Sequence, residues 1–143
     1  MRVTPGGQII FADYQYFVKT EVKTLTLQRT PPIYIGDATY TFDTEFMWKL
    51  RGIGMMAGYS TQPAAPVKFV WGLSVYIEII GGWKSIGLYT SHGEFTHHSP
   101  FWFDSVNTEL WIPPTVRVFI WYGSDPVDYG YIEFQLFFDA YRR

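Results

Sequence analysis

The chain has 143 residues, a formal net charge of −2 at pH 7 and no cysteine. Apolar residues make up 48% of it, aromatic residues 20% and charged residues 17%. The aromatic content excludes a disordered chain, and the lack of cysteine excludes disulfide scaffolds, Cys-ligated zinc and thiol nucleophiles. Proteins that bind nucleic acids or anionic membranes are normally more basic, so we expect neither partner.

The first 32 residues are extended and β-prone, and Thr30-Pro31-Pro32 separates them from the rest of the chain. Weaker strands are predicted at Ile9–Thr20 and Val22–Gln28. Two interpretations stay open. The segment is either a first sandwich strand with a frayed terminus, or an extended arm that adds to the sheet of a neighbouring subunit. On the second interpretation the chain divides into an arm, 1–32, and a β-sandwich domain, 33–143.

Apolar and polar residues alternate with a period of two in most of the remaining chain, which is typical of half-buried strands. Four segments show this pattern strongly: Tyr40–Leu50, Val67–Ile79, Thr115–Tyr122 and Ile132–Ala140. Weaker strands are predicted at Ser85–Thr90 and Thr108–Ile112, and Gly81-Gly82 predicts a tight hairpin turn. We expect helix to be limited to a turn or two, near Met55–Tyr59 or Phe101–Val106.

The fold class follows from this spacing. About eight short strands joined by Gly/Pro turns indicate an all-β, antiparallel sandwich. We expect a jelly-roll-like topology with an extended N-terminal arm. No apolar run approaches the ~20 residues of a membrane helix, and the N-terminus lacks the apolar segment of a secretory signal, so we expect a soluble, unsecreted chain.

Motifs for catalysis are absent from the sequence. There is no Gly-x-Ser-x-Gly elbow and no phosphate-binding glycine loop. All three histidines and Glu94 lie in the segment His92–His98, which we interpret as a loop. Their spacing matches no specific metal signature. We therefore expect no enzyme activity, no catalytic or metal-binding residue and no cofactor.

The aromatic residues are too numerous to pack inward together. Neighbouring residues of a strand point to opposite faces, so Trp121-Tyr122 predicts a strand that is apolar on both faces. When both faces of a strand are apolar, each face is covered by another element of the chain or by a partner. Two interpretations of Phe101-Trp102-Phe103 stay open: the segment is a loop packed under the sandwich, or it anchors an interface. The candidate interface residues are Ile9, Ile10, Phe11, Tyr14, Tyr16, Phe101, Trp102, Phe103, Trp111 and Trp121.

A small, cysteine-free, aromatic-rich sandwich with a Pro/Gly-led arm resembles the capsid decoration (cement) proteins of tailed bacteriophages, particularly those from hot environments. The resemblance spans the whole chain at the level of architecture and includes no diagnostic motif. It implies a thermostable, non-enzymatic virion protein, made in the host cytoplasm. On the capsid surface it would bind the major capsid protein as a homotrimer, with arms that clamp neighbouring subunits.

Two other functions remain open at this point. In a carbohydrate-binding module, exposed Trp83, Trp102, Trp111 or Trp121 would stack on sugars. Two or three coplanar exposed rings in an open cleft would favour that function. A cupin-like metal enzyme built on the histidine segment would require stoichiometric metal in the purified protein.

Overall fold

The structure is a computed structural model, and it describes residues 2–3, 9–10, 16–30, 33–59, 65–96, 100–106, 111–125 and 129–142. These residues form strands and turns without any helix. The strands are β1 Arg2–Val3, β2 Ile9–Ile10, β3 Tyr16–Thr26, β4 Gln28–Thr30, β5 Ile33–Thr41, β6 Phe46–Tyr59, β7 Val67–Ile79, β8 Gly82–Phe95, β9 Phe101–Ser105, β10 Trp111–Ile112, β11 Thr115–Ser124 and β12 Tyr129–Arg142.

Two antiparallel five-stranded sheets contain all but two of these strands. In sheet I the strand order is β10-β6-β12-β3. The fifth strand, β9, also pairs with β6. In sheet II the order is β4-β5-β11-β7-β8. The short strands β1 and β2 pair only with each other. The predicted all-β, antiparallel, sandwich-like fold is confirmed. In the described part of the chain no helix is long and apolar enough to span a membrane.

The inner faces of the two sheets pack against each other and form one core. Trp71 of β7 meets Phe134 of β12 edge to face, with ring centroids 5.5 Å apart. Phe42 and Phe138 meet at 4.7 Å near one end of the sandwich. Both Phe134 and Phe138 are fully buried. Because sheets pack about 10 Å apart, large aromatic side chains from both inner faces fill the space between them.

The chain passes from one sheet to the other at Leu27. Up to Thr26 it pairs with β12 in sheet I, and from Gln28 it pairs with β5 in sheet II. Leu27 itself is buried, and its N–H donates to the carbonyl of Ile132 at 2.8 Å. Residues 16–30 are therefore edge strands of the two sheets within this chain. The division at residue 32 into an arm and a domain stays a prediction.

The prediction of a single strand over Tyr40–Leu50 is wrong. β5 ends at Thr41 and β6 begins at Phe46 in the other sheet. The Asp43 carboxylate accepts the N–H of Glu45 at 2.8 Å, which fixes the turn between them. The alternation nevertheless identified the inward side chains, since Phe42, Trp48 and Leu50 are all buried. A corner between packed sheets preserves the inward direction of the apolar residues while the chain changes partner.

The other strong strands are confirmed and are as long as predicted or longer. The predicted hairpin at Gly81-Gly82 is also confirmed, and both glycines have positive φ, 99° and 131°. Such angles favour glycine because it lacks a Cβ. The expected helical turns are wrong, because Met55–Tyr59 belongs to β6 and Phe101–Ser105 is β9. The apolar runs there are strands with one face on the core and one face outward.

Candidate interaction surfaces

The outer face of sheet I is built on glycines of the central strand β6. A register shift beside Arg51 lets Leu50 and Ile53 both point inward, so Gly52, Gly54 and Gly58 point outward. Aromatic rings lie directly over two of these glycines. A Cβ on Gly52 would lie 2.5 Å from Cζ of Phe103, and one on Gly58 would lie 2.5 Å from Cε1 of Tyr131. The glycines thus allow rings from neighbouring strands to lie flat on the sheet.

These rings form part of an exposed apolar patch. Its members are Phe101, Met56, Tyr131 and Phe103, with exposed fractions of 61%, 37%, 43% and 40%. We call these four side chains the sheet I patch. Phe101 lies opposite Met56 in the register, and Phe103 is two residues along β9 on the same face. Large contiguous apolar surfaces on a soluble protein mark sites of interaction.

The three neighbouring aromatics of β9 separate to opposite faces. Trp102 points inward, where its ring meets Phe69 edge to face at 5.5 Å. Its Nε1–H donates to the Asp104 carboxylate at 3.1 Å. Trp102 is therefore part of the core boundary, and its role as an interface residue stays a prediction. The segment is also not the loop that one interpretation proposed, because it pairs along β6.

Trp111 lies at the other end of the same sheet edge. Its ring meets Tyr141 edge to face at 5.4 Å, and the Lys49 ammonium lies 5.6 Å from the Trp111 ring centroid. It is half-buried by these neighbours. Tyr16 is 59% exposed at the start of β3. Ile9 and Ile10 pair through their backbones with Val3 and Arg2. Phe11 and Tyr14 lie outside the described residues.

The Asp139 carboxylate is buried beneath the outer face of sheet I. It is only 3% exposed although it lies on the outer side of β12. One carboxylate oxygen, Oδ1, accepts both the Thr20 hydroxyl at 2.7 Å and Nε–H of Arg51 at 3.1 Å. Buried charges are normally paired in this way. This contact joins the edge strand β3 to β6 across β12 and stiffens the sheet beneath the outer face.

The outer face of sheet II carries Trp121, which lies flat on the neighbouring strand. A Cβ on Gly72 would lie 2.5 Å from Cε2 of the Trp121 indole. Tyr122, the next residue, is fully buried, so the predicted strand with two apolar faces is confirmed. One row further along the sheet, Tyr76, Trp83, Arg117 and Phe119 line a small cavity of about 240 Å³.

Gly72→Ala is expected to destabilise the fold by about 1–3 kcal/mol, because the added methyl group forces the indole of Trp121 off the sheet. The matched control is Gly130→Ala. A Cβ there would meet nothing nearer than the carbonyl oxygen of Gly58 at 3.5 Å, and its effect should stay within about 0.5 kcal/mol. Urea unfolding of both variants measures the difference. Equal stabilities for the two variants would contradict the close packing of Trp121 on Gly72.

An ion pair between Arg117 and Asp37 lies beside this cavity. Nε–H of Arg117 donates to Oδ1 of Asp37 at 2.8 Å, and a second guanidinium nitrogen donates to Oδ2. These hydrogen bonds lower the pKa of Asp37, while partial desolvation opposes them. The same contact raises the pKa of Arg117. The guanidinium also lies 5.9 Å from the Trp83 ring centroid.

The lowered pKa of Asp37 predicts a small acid-dependent loss of stability. A carboxyl whose pKa is lower in the folded state stabilises the fold above its unfolded pKa of about 3.9. That contribution is lost as the pH falls through the lowered pKa. Asp37→Asn and Arg117→Gln should each flatten the acid limb of a stability–pH profile slightly, since both side chains are 41% exposed. An acid limb steepened by either variant would contradict the assignment.

The histidine segment is only partly a loop. Residues His92–Phe95 belong to β8, so the prediction of a loop is wrong for them, and His97 and His98 lie outside the described residues. His92, Glu94, Lys68 and Asp125 are among the residues that line a groove of about 580 Å³. Within the described ranges, no group of three or more His, Asp or Glu side chains could hold a metal ion.

Sequence reasoning missed two members of the sheet I patch. Met56 was hidden because the stretch around it was interpreted as a helical turn. Tyr131 is one of many aromatic residues, and nothing in the local sequence distinguishes it from the others. The glycine spacing of β6, Gly52, Gly54 and Gly58, was the available signal. Glycines alternating in a strand indicate that bulky groups of neighbouring strands approach closely.

No protein-family profile matches the chain, and no curated protein sequence matches it.

Proposed function

We propose that the chain is a non-enzymatic virion structural protein that decorates a capsid and self-associates through the sheet I patch. The observation that carries this proposal is the exposure of four large apolar side chains, Phe101, Met56, Tyr131 and Phe103, on the outer face of one sheet. Exposed apolar surface of this kind favours a protein partner.

The surface also has the chemistry of subunit interfaces. Aromatic residues and Met are enriched at the centres of interfaces, where charged residues are depleted. Rings that lie on glycines are already ordered, so little side-chain entropy is lost when a partner covers them. A decoration protein that uses several modest contacts at once binds its capsid more tightly than any single contact would allow, because linked binding events raise the overall affinity. The trimeric state, the jelly-roll topology, the clamping arm and the capsid-surface location stay predictions of this proposal.

Co-sedimentation with assembled shells of a tailed-phage major capsid protein tests the capsid contact. We expect the chain to pellet with shells at a saturating ratio and to raise their disruption temperature. A protein that stays monomeric in dilute solution and fails to pellet with shells would contradict the proposal. Unassembled capsid protein is the control, because a decoration protein binds at junctions between subunits.

A carbohydrate-binding function is the second candidate, and one observation favours it. Trp121 packs over Gly72 and is partly exposed, while Trp83 is 36% exposed beside the Arg117–Asp37 ion pair. Aromatic rings beside paired polar groups suit a ligand with apolar faces and hydroxyl edges. Calorimetric titration with neutral oligosaccharides tests this function. Binding that is lost in Trp121→Ala and kept in Phe101→Asp would establish it in place of the capsid function.

A further inference from the structure

The edges of the two sheets differ in how they are protected against pairing with another chain. An edge strand presents unpaired N–H and C=O groups, and proteins protect it with short strands or inward-pointing charges. At one edge of sheet II, β4 has only three residues, and at one edge of sheet I, β9 and β10 have five and two. These short strands offer little length for pairing.

The β3 edge of sheet I is long but is protected by charge. Lys19, Glu21 and Lys23 lie opposite the buried residues Ala140, Phe138 and Leu136 of β12, so they point inward. Lys23 forms an ion pair with Glu21 at 3.1 Å, and its ammonium lies 5.4 Å from the ring centroid of Phe42. A strand added here would have to cover this charged rim.

The β8 edge of sheet II is protected only near its start, where Lys84 lies opposite Ile77 on the inner side. β8 runs for 14 residues, and among the described strands it pairs only with β7. One register shift interrupts it at Ile86, and Gly87–Phe95 then stays in unbroken register with β7. Between Ser85 and Gly93 the strand contains no Lys, Arg, Asp or Glu. A long uncharged edge of this kind is suited to accept a further strand.

We propose that this edge pairs with the β8 edge of a second copy of the chain, antiparallel about a two-fold axis, so that two copies of sheet II form one continuous sheet. A two-fold contact requires only one surface that complements itself. Antiparallel pairing keeps the two copies of Lys84, and the two copies of Glu94, apart at opposite ends of the contact. Parallel pairing would place like charges side by side.

The middle of the strand supports the same partner. Leu88 is 64% exposed and lies at the centre of β8. When the two-fold axis passes through Leu88, the two copies of this side chain lie directly opposite each other. Cross-strand apolar pairs of this kind are what stabilise a sheet. The contact therefore combines backbone pairing with an apolar centre.

This contact goes beyond the proposed function, since it does not use the sheet I patch. A two-fold contact alone gives a dimer, and combined with a trimer it gives a hexamer. Blocking it is expected to reduce the native mass by about half from either assembly. Blocking the sheet I patch is expected to reduce the mass to about one third. The native mass alone therefore distinguishes loss of the β8 contact from loss of the contact through the sheet I patch.

A pair of neighbouring proline variants, Thr90→Pro and Ser91→Pro, tests the contact in the full chain. Successive residues of an antiparallel strand direct their N–H groups to opposite edges. One variant therefore removes a donor that β7 uses and destabilises the fold, while the other removes a donor only from the free edge. The variant that keeps the parent's melting temperature should have about half the parent's native mass. An unchanged mass in that variant would overturn the proposal.

Leu88→Lys provides a second test that leaves the backbone intact. It places like charges together at the axis, so we expect about half the native mass at concentrations where the parent is fully associated. Thr39→Lys, on the exposed outer face of β5 in the same sheet, is the matched control and should keep the parent's mass. Equal masses for the two variants, or a parent without even-numbered assemblies at any concentration, would overturn the proposal.

Discussion

Phe101→Asp is expected to weaken self-association by at least about 30-fold, which corresponds to ~2 kcal/mol for a residue at the centre of an interface. Phe101 is 61% exposed and lies opposite Met56 in the sheet I patch. Its truncation therefore costs little in the isolated chain. In an interface, the aspartate would be desolvated without a partner, which is the main source of the loss. Sedimentation velocity over a dilution series measures it.

Ile33→Asp is the matched control for this variant. Ile33 is 38% exposed on β5 in sheet II, away from the patch. The same change of apolar side chain to carboxylate should leave self-association unaltered there. If both variants weaken association equally, the loss reflects a general effect of added negative charge and contradicts an interface at the patch. If neither does, the patch has another role.

Phe134→Ala is expected to lower the free energy of unfolding by about 3–5 kcal/mol, the usual loss when a large core aromatic is removed. Phe134 is fully buried in sheet I and meets Trp71 of sheet II edge to face at 5.5 Å. The loss arises from contacts between the two sheets and from the cavity that remains. Because the total stability of a domain is about 5–15 kcal/mol, this variant should be close to unfolding.

Phe17→Ala is the control for the core variant. Phe17 is 56% exposed and meets the half-buried Tyr141 edge to face at 6.0 Å. We expect its stability loss to stay below about 1 kcal/mol. Guanidinium unfolding of both variants gives the comparison. A loss below about 1 kcal/mol for Phe134→Ala would contradict a core built between the two sheets.

The sequence predicted the strands well where the alternation of apolar residues ran within one sheet. Val67–Ile79 was predicted with its observed bounds, because every second residue of it from Val67 to Val75 meets the core. Prediction failed where the chain changes sheets. At Tyr40–Leu50 the apolar period continues through a turn, so the pattern shows the inward residues but not the change of partner.

The sheet I patch was predicted only in part, for a physical reason. Phe101 and Phe103 are exposed, whereas Trp102 between them faces inward. A run of three aromatics does not reveal which of them faces the core, because that depends on the register with β6. Met56 joins the patch only because the register shift beside Arg51 changes which residues of β6 point outward. The position of such a shift depends on how β6 pairs with β12, so the periodicity of the sequence does not reveal it.

The native mass of the unaltered chain, measured by light scattering over a dilution series, tests the claim of an interface on sheet I most directly. The monomer has a mass of 16.7 kDa. A trimer of about 50 kDa, or twice that mass if the β8 edges also pair, is the expected result. A monodisperse monomer at every concentration would contradict the claim, and the aromatic faces would then require a ligand other than a second copy.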